Sequence, residues 1–315
     1  MSDGIVLERF LVDTWLPAIK TTIRASTWAG YEGHVRLHIV PRLGSLRLDE
    51  IGPADLNAFY AELLESGKVS GRGGLAPNSV RHVHVALHRA FRDAVRWGHL
   101  DSNPAERSDP PRNSFDDNHL GTWTAEDLAA FLAFTRGSEH YELWLLLAMT
   151  GMRRGEALGV RLCDIDLERS ELAVRQTVIQ VSGRILLSTP KTARGRRIVA
   201  LDHATSEALR PIVGASQRGD SLLFHRNGDP LEPSQVTHSF ARLVKRSGLP
   251  WIRLHDLRHT HATLALEAGV HPKIVSERLG HSTVSFTLDV YSHAIPHLQT
   301  EAAEKIANLV RREHQ

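Results

Sequence analysis

The chain has 315 residues, 42% of them hydrophobic, with a formal net charge of +2, nineteen histidines and a single cysteine, Cys163. That length holds roughly two domains with ordinary buried cores. No run approaches the ~20 apolar residues of a membrane span. The N-terminal MSDGIVLERF lacks a secretion signal, and one thiol cannot close an internal disulfide. Membrane transport and secreted disulfide scaffolds are therefore excluded, and a reducing, cytoplasmic setting is expected.

The first hundred residues read as helices. Leu7, Phe10, Leu11, Trp15 and Leu16 fall at helical spacing. A second helix is expected from Ser26 or Thr27 to His38, stopped by Pro41 and Gly44, and a third from Pro53 to about Gly67. After the glycine-rich GKVSGRGG (67–74), a fourth helix is expected from Pro77 to Trp97. At ~100° per residue, Val80, Val83, Leu87, Ala90, Phe91, Ala94 and Trp97 share one face. Arg81, His84, His88, Arg89, Arg92 and Arg96 share the other, with only Asp93 interrupting. Such a stripe is either a solvated surface or a face for phosphates.

SDPPRNSFDDNHLG (108–121) has little to bury and reads as a linker between a domain over 1–107 and another over 122–315. Thr124 and Asp127 form a capping pattern, and LWLLLAM should be the buried centre of the second domain. ELAVRQTVIQV, RILLSTP and RRIVAL alternate like strands of one three-stranded antiparallel sheet. Helices are expected from about Ala204 to the end. The fold class is thus mainly α with a small antiparallel sheet (α+β) in the C-terminal domain.

HDLRHTHAT (255–263) gathers His255, Arg258, His259 and His261 into little more than one helical turn. His255 and His259 have the spacing of the HExxH zinc helix. Asp256 replaces its glutamate, however, and the Arg258 cation opposes a divalent metal, so no metal is expected. A phosphate site draws in other segments: TGMRRGEAL (150–158), PKTARGRR (190–197) and GHSTVSFTLDVYSHA (280–294). Singly, each has a plain structural reading, such as an Arg153–Glu156 ion pair or a packing Tyr291.

In order and spacing, TGxRxGE, a hairpin lysine, HxLRHT and LGHxxxxxTxxxY resemble the catalytic half of the tyrosine recombinases, the phage integrase family. The set here is Arg153, Lys191, His255, Arg258, His281 and Tyr291. Upstream, residues 26–67 are similar to the helical core-binding domain of integrases from phages and integrative elements. The resemblance implies a two-domain clamp on double-stranded DNA attachment sites, working as a homotetramer without metal or cofactor. It admits a host DNA-bending protein and an excision factor as further partners. It makes Tyr291 the nucleophile and Arg153 and Arg258 the phosphate clamp. His255 becomes the proton acceptor, His281 a source of field and hydrogen bonds, and Lys191 the acid for the departing 5′ oxygen. Glu156 would orient Arg153 or His255, and His259 would pack or hydrogen-bond beside them. Arg81, Arg89, Arg92, Arg96, Arg194 and Arg196 are the expected DNA contacts. The segment HLQTEAAEKIANLVRR (297–312) is expected to pack at home or on a neighbouring subunit. One departure is that the sequence starts almost directly in the core-binding domain; the arm-binding domain that many integrases carry ahead of it is either lacking from the protein or outside this sequence. Two alternatives stay open: relaxation of supercoils in the manner of a type IB topoisomerase, and a DNA-binding relative that has lost catalysis.

Overall fold

The computed structural model describes residues 4–112, 121–181, 183–190, 195–214, 219–281, 283–284 and 307–308. Contacts divide the chain into two compact units, Met1–Asn118 and His119–Gln315. The fold is mainly helical with small antiparallel sheets in the second unit. Among the described residues no helix is long and apolar enough to cross a membrane.

In the first unit, residues 7–19 form one continuous helical segment whose Phe10–Trp15 stretch is π-helical. Leu7, Phe10, Leu11, Trp15 and Leu16 are all buried, each contributing about 1.5–3 kcal/mol. The next helix does not stop at His38, as the prolines and glycines of the sequence suggest. It starts at Ala25 and runs to Leu43, with Val35–Ile39 π-helical and Pro41 in the first turn of the closing Val40–Leu43 segment. A π turn just ahead of a proline rearranges the hydrogen-bond ladder where the ring has no N–H to give and crowds the carbonyl behind it. Gly44 ends the helix, its N–H donating to Val40 O at 3.0 Å.

The Pro77–Arg96 helix buries the expected face, with Val80, Val83, Leu87, Ala90, Phe91 and Ala94 inaccessible. Its polar face is partly committed. Tyr60 Oη lies 2.8 Å from His84 Nδ1, and Arg81 Nη1 donates to Pro111 O at 3.0 Å. Asp93 is no surface interruption. It is buried, accepts from Trp15 Nε1 at 3.0 Å, and faces Arg96 at 3.3 Å and Arg89 at 3.8 Å. Arg89 also stacks over Tyr31, 5.7 Å from the ring centre. Arg92 and Arg96 are exposed. The start of the proposed linker is bonded into this unit, since Asp109 N–H donates to Asn57 Oδ1 at 2.7 Å.

In the second unit, Thr124 caps Ala125–Thr135 reciprocally with Asp127. The Tyr141–Thr150 helix is buried along nearly its whole length, and its Trp144 joins Trp123, Phe131 and Phe240 in a ring cluster. The single three-stranded sheet expected over 171–201 is replaced by two sheets. Glu171–Val174 lies between Ile165–Asp166 and Arg197–Ala200, while Thr177–Val181 and Arg184–Ser188 make a separate hairpin. The chain breaks at 175–176 because Gln176 Nε2 donates to Gly159 O at 2.9 Å. Gly159 approaches so closely that a Cβ there would lie 2.9 Å from Gln176 O. The expected run of helices from Ala204 is also interrupted. His225–Arg226 and Asp229–Pro230 pair across Asn227 and Gly228, both at positive φ (54° and 92°). That Asn-Gly pair is a strong hairpin signal that the helical reading passed over.

Candidate active site

The site is built where three helix ends meet. The Tyr141–Thr150 helix ends in Gly151, at φ 63°, which turns the chain so that Arg153 begins the Arg154–Leu158 helix. Glu156 reaches back across that first turn. Its Oε2 accepts from Arg153 N–H at 3.0 Å and its Oε1 from Arg153 Nη1 at 2.8 Å. The Arg153 side chain is nevertheless 43% exposed while that of Glu156 is 5% exposed, so the cation faces outward from a buried anchor.

The second guanidinium comes from the Asp256–Glu267 helix. Arg258 is buried and its Nη1 donates to Gly151 O at 2.9 Å, which ties it to the turn preceding Arg153. Asp256, placed like the catalytic glutamate of a zinc helix, has a different task. It is buried and accepts from the Arg253 N–H (2.7 Å), Nε (3.0 Å) and Nη2 (2.8 Å). Among the described residues no group of three or more His, Cys, Asp or Glu could hold a metal ion.

The third end is that of Pro272–Leu279. Gly280, at φ 68°, closes it, and Arg153 Nη2 points to Gly280 O at 3.5 Å. His281 follows, buried, its N–H donating to Ser276 O at 3.0 Å. His255 and His259 stack edge-on, with ring centres 5.1 Å apart. The structure therefore brings Arg153, His255, Arg258, His259 and His281 together. Lys191, Arg194 and Tyr291 lie outside the described residues, as does nearly all of 297–312. Arg196 lines a cleft of about 360 Å³ together with Arg197, Lys273, His281 and Val284, the last described residue before Tyr291.

Burial, then the Arg258 charge, lowers the His255 pKa, and the same two causes bring His281 to about 3. Burial, then His255, lowers His259 to about 4. All three rings are neutral at physiological pH, so His281 offers hydrogen bonds rather than positive field. The cationic character of the site comes from the arginines.

Sequence reasoning missed three supporting residues. Arg197 Nη2 donates to Glu156 Oε2 at 2.9 Å, and its Nε to Arg278 O at 2.6 Å. Arg278 in turn donates to Met149 O (2.8 Å), Ala200 O (2.9 Å) and His261 Nε2 (3.2 Å). His261 must then carry its proton on Nδ1, 3.0 Å from Ala148 O. Burial and the Arg278 charge lower its pKa to about 4. The one available signal was strand alternation: Arg197 shares the inward face with Val199, while Ile198 points out, 64% exposed. The run RRIVAL is too uniformly apolar after its arginines to reveal which face is inward.

These rings also predict how stability depends on pH. Burial lowers His34, His38 and His84 in the first unit as it does His255, His259, His261 and His281 in the second. Below about 6.5 the unfolded chain takes up protons that the folded rings refuse, so stability falls as pH drops from there toward the folded values. The DNA-free chain should melt at a lower temperature at pH 5.5 than at pH 7.5. An equal or higher melting temperature at pH 5.5 would contradict this electrostatic reading.

Known proteins give this constellation its class. Residues 123–297 match the profile of the Phage integrase family, and residues 9–64 match that of the Phage integrase, N-terminal SAM-like domain. The chain belongs to the phage integrase family, and by that membership it is a tyrosine-type site-specific DNA recombinase. It is similar to the XerC-like tyrosine recombinase of Caldanaerobacter subterraneus subsp. tengcongensis, 27% identical over 95% of this chain and 82% of that protein. It is likewise similar to the integrase of Mycobacterium phage L5, 28% identical over 97% and 81% of the two chains. In fold it is similar to the Tn1549 transposon integrase in complex with a circular intermediate DNA, with a TM-score of 0.79 at 22% identity, over 96% of this chain and all of that one. A lambda integrase dimer bound to a core site gives 0.67 at 20% identity, over 91% and 77%.

Proposed function

We propose that the chain integrates and excises a phage or mobile element by cutting and rejoining DNA attachment sites through a 3′-phosphotyrosine link at Tyr291. The observation that carries this reading is the convergence of Arg153 and Arg258, from two helices, beside neutral His255 and buried His281. Planar guanidinium forks suit the non-bridging oxygens of a phosphorane, whose extra charge no neutral group could hold as well. A phenol titrating near ~10 needs a base to attack at neutral pH. His255 takes the Tyr291 proton as the phenol oxygen bonds to phosphorus. The bond from phosphorus to the 5′ oxygen breaks, and Lys191 protonates that oxygen. The tyrosyl ester retains the bond energy, so a 5′-hydroxyl from a partner strand reverses the step without ATP.

Residues 1–107 and 122–315 serve as core-binding and catalytic domains, joined by 108–121, and close on duplex DNA as a homotetramer. Lambda integrase is seen as dimers and as a tetramer on DNA. Arg81, Arg89, Arg92, Arg96, Arg194 and Arg196 contact phosphates, which makes affinity salt-dependent. The setting is cytoplasmic, and the reading leaves room for a host DNA-bending protein and an excision factor.

The test is a nicked suicide duplex carrying the attachment site. The expected result is a covalent protein–DNA adduct with a free 5′-hydroxyl, which proteolysis and mass mapping assign to the peptide holding Tyr291. An adduct on another residue, or none, would overturn the reading. Relaxation of supercoils without exchange between two sites would move the chain to the topoisomerase alternative.

A further inference from the structure

Glu156 presents an electrostatic problem that the proposed chemistry must solve. It touches Arg153 twice, through the backbone N–H and through Nη1, and a lone Arg–Glu pair carries no net charge. An arginine so neutralised is a poor partner for a phosphate, and poorer for the extra charge of a phosphorane. The structure places a second guanidinium on the same carboxylate: Arg197 Nη2 meets Glu156 Oε2 at 2.9 Å. The three side chains together carry one net positive charge. Only Arg153 presents it to solvent, with 43% of its side chain exposed against 5% for Glu156 and 7% for Arg197.

We propose that Arg197 is a positioning residue for strand cleavage, holding the Glu156 carboxylate so that Arg153 is oriented by it without being neutralised. This rests on the functional reading above. Arg197 is well placed for the task because it cannot swing away. Its Nε is fixed by Arg278 O at 2.6 Å, and Arg278 is itself held by Met149 O, Ala200 O and His261. The network joins the strand Arg197–Ala200 to four helices around the site. Burial alone would raise the Glu156 pKa; Arg197, and after it Arg153, together outweigh it and keep the group ionised. Arg197 thereby secures both the anion that aims Arg153 and the charge that Arg153 delivers.

A purely structural arginine and a charge-balancing one predict opposite epistasis. In single-turnover cleavage of the suicide duplex at saturating DNA, Arg197→Met should slow adduct formation about 10- to 100-fold, the range typical of lost outer-sphere partners. Duplex affinity should be little changed, and Arg197→Lys should keep most of the rate. Adding Glu156→Gln to Arg197→Met removes the anion that would then neutralise Arg153 and should recover about tenfold. Where Arg197→Met does not fold, Arg197→Gln takes its place with the same expected order of rates. The proposal is overturned if the single variant cleaves at the parental rate, or if a folded double variant is no faster than the single one. A parent chain that forms no adduct defeats the functional reading instead. The Glu156 carboxyl titration, followed by carbon-13 NMR, then decides: it should move up in Arg197→Gln, and an unmoved titration defeats the inference.

Discussion

Tyr291→Phe is expected to bind the attachment site as tightly as the parent and form no covalent adduct, and Arg258→Lys to form it about 10²- to 10³-fold more slowly. On the proposed mechanism the first change removes the attacking oxygen and little else. The second keeps the charge, so the size of its effect tests geometry. Arg258 is buried, and its Nη1 donates to Gly151 O, which fixes the plane of the fork. Lysine offers one rotatable ammonium in place of two parallel donors, and burial disfavours its charged form. Losing a preorganised donor to a developing oxyanion costs about 3–4 kcal/mol. Single-turnover rates, with affinity measured separately, give the comparison. An Arg258→Lys rate within about threefold of the parent would mean that a point charge suffices there and that the fork argument is wrong.

Gly151→Ala should destabilise the second unit by about 2–4 kcal/mol. Two effects add. The residue sits at φ 63°, where a side chain costs about 1 kcal/mol. Its Cβ would also lie 2.5 Å from Leu279 Cδ2 and 2.8 Å from His261 Cδ2. Neither neighbour can retreat freely, since Leu279 is fully buried and His261 is bonded at both ring nitrogens. Forcing such atoms apart adds about 1–3 kcal/mol. For a unit of this size the melting temperature should fall by about 5–15 °C. Gly248→Ala is the matched control: φ is 73° there, but nothing lies within 4 Å of the added Cβ, so only the backbone term of about 1 kcal/mol should appear. Equal melting temperatures for the two variants would remove close approach as the reason for Gly151. The Gly151 variant should also lose cleavage, because Gly151 O is the acceptor that holds Arg258.

Local chemistry announced itself clearly in the sequence. The amphipathic Pro77–Arg96 face, the Thr124–Asp127 cap and the helix opening at HDLRHT all arise from interactions within a turn or two, and period and capping residues encode those directly. The order of TGMRRGEAL, HDLRHT and LGH was equally plain, and the structure gathers Arg153, His255, Arg258 and His281 from those segments.

What stayed hidden depends on contacts between distant parts of the chain. Nothing near Asp93 reveals that its carboxylate accepts from Trp15, and nothing in RGRR names Glu156 as the partner of Arg197. The break at Gln176 is decided by the Gly159 backbone, and Pro41 is tolerated because a π turn precedes it. By itself, then, the sequence determined helix faces, caps and the inventory of reactive groups, since residues within about four positions settle those. Tertiary structure alone decided which charges are buried against which. A carboxylate's partners, and hence whether Arg153 is neutralised or left positive, are set by packing across 41 residues of chain from Glu156 to Arg197 and leave no local pattern.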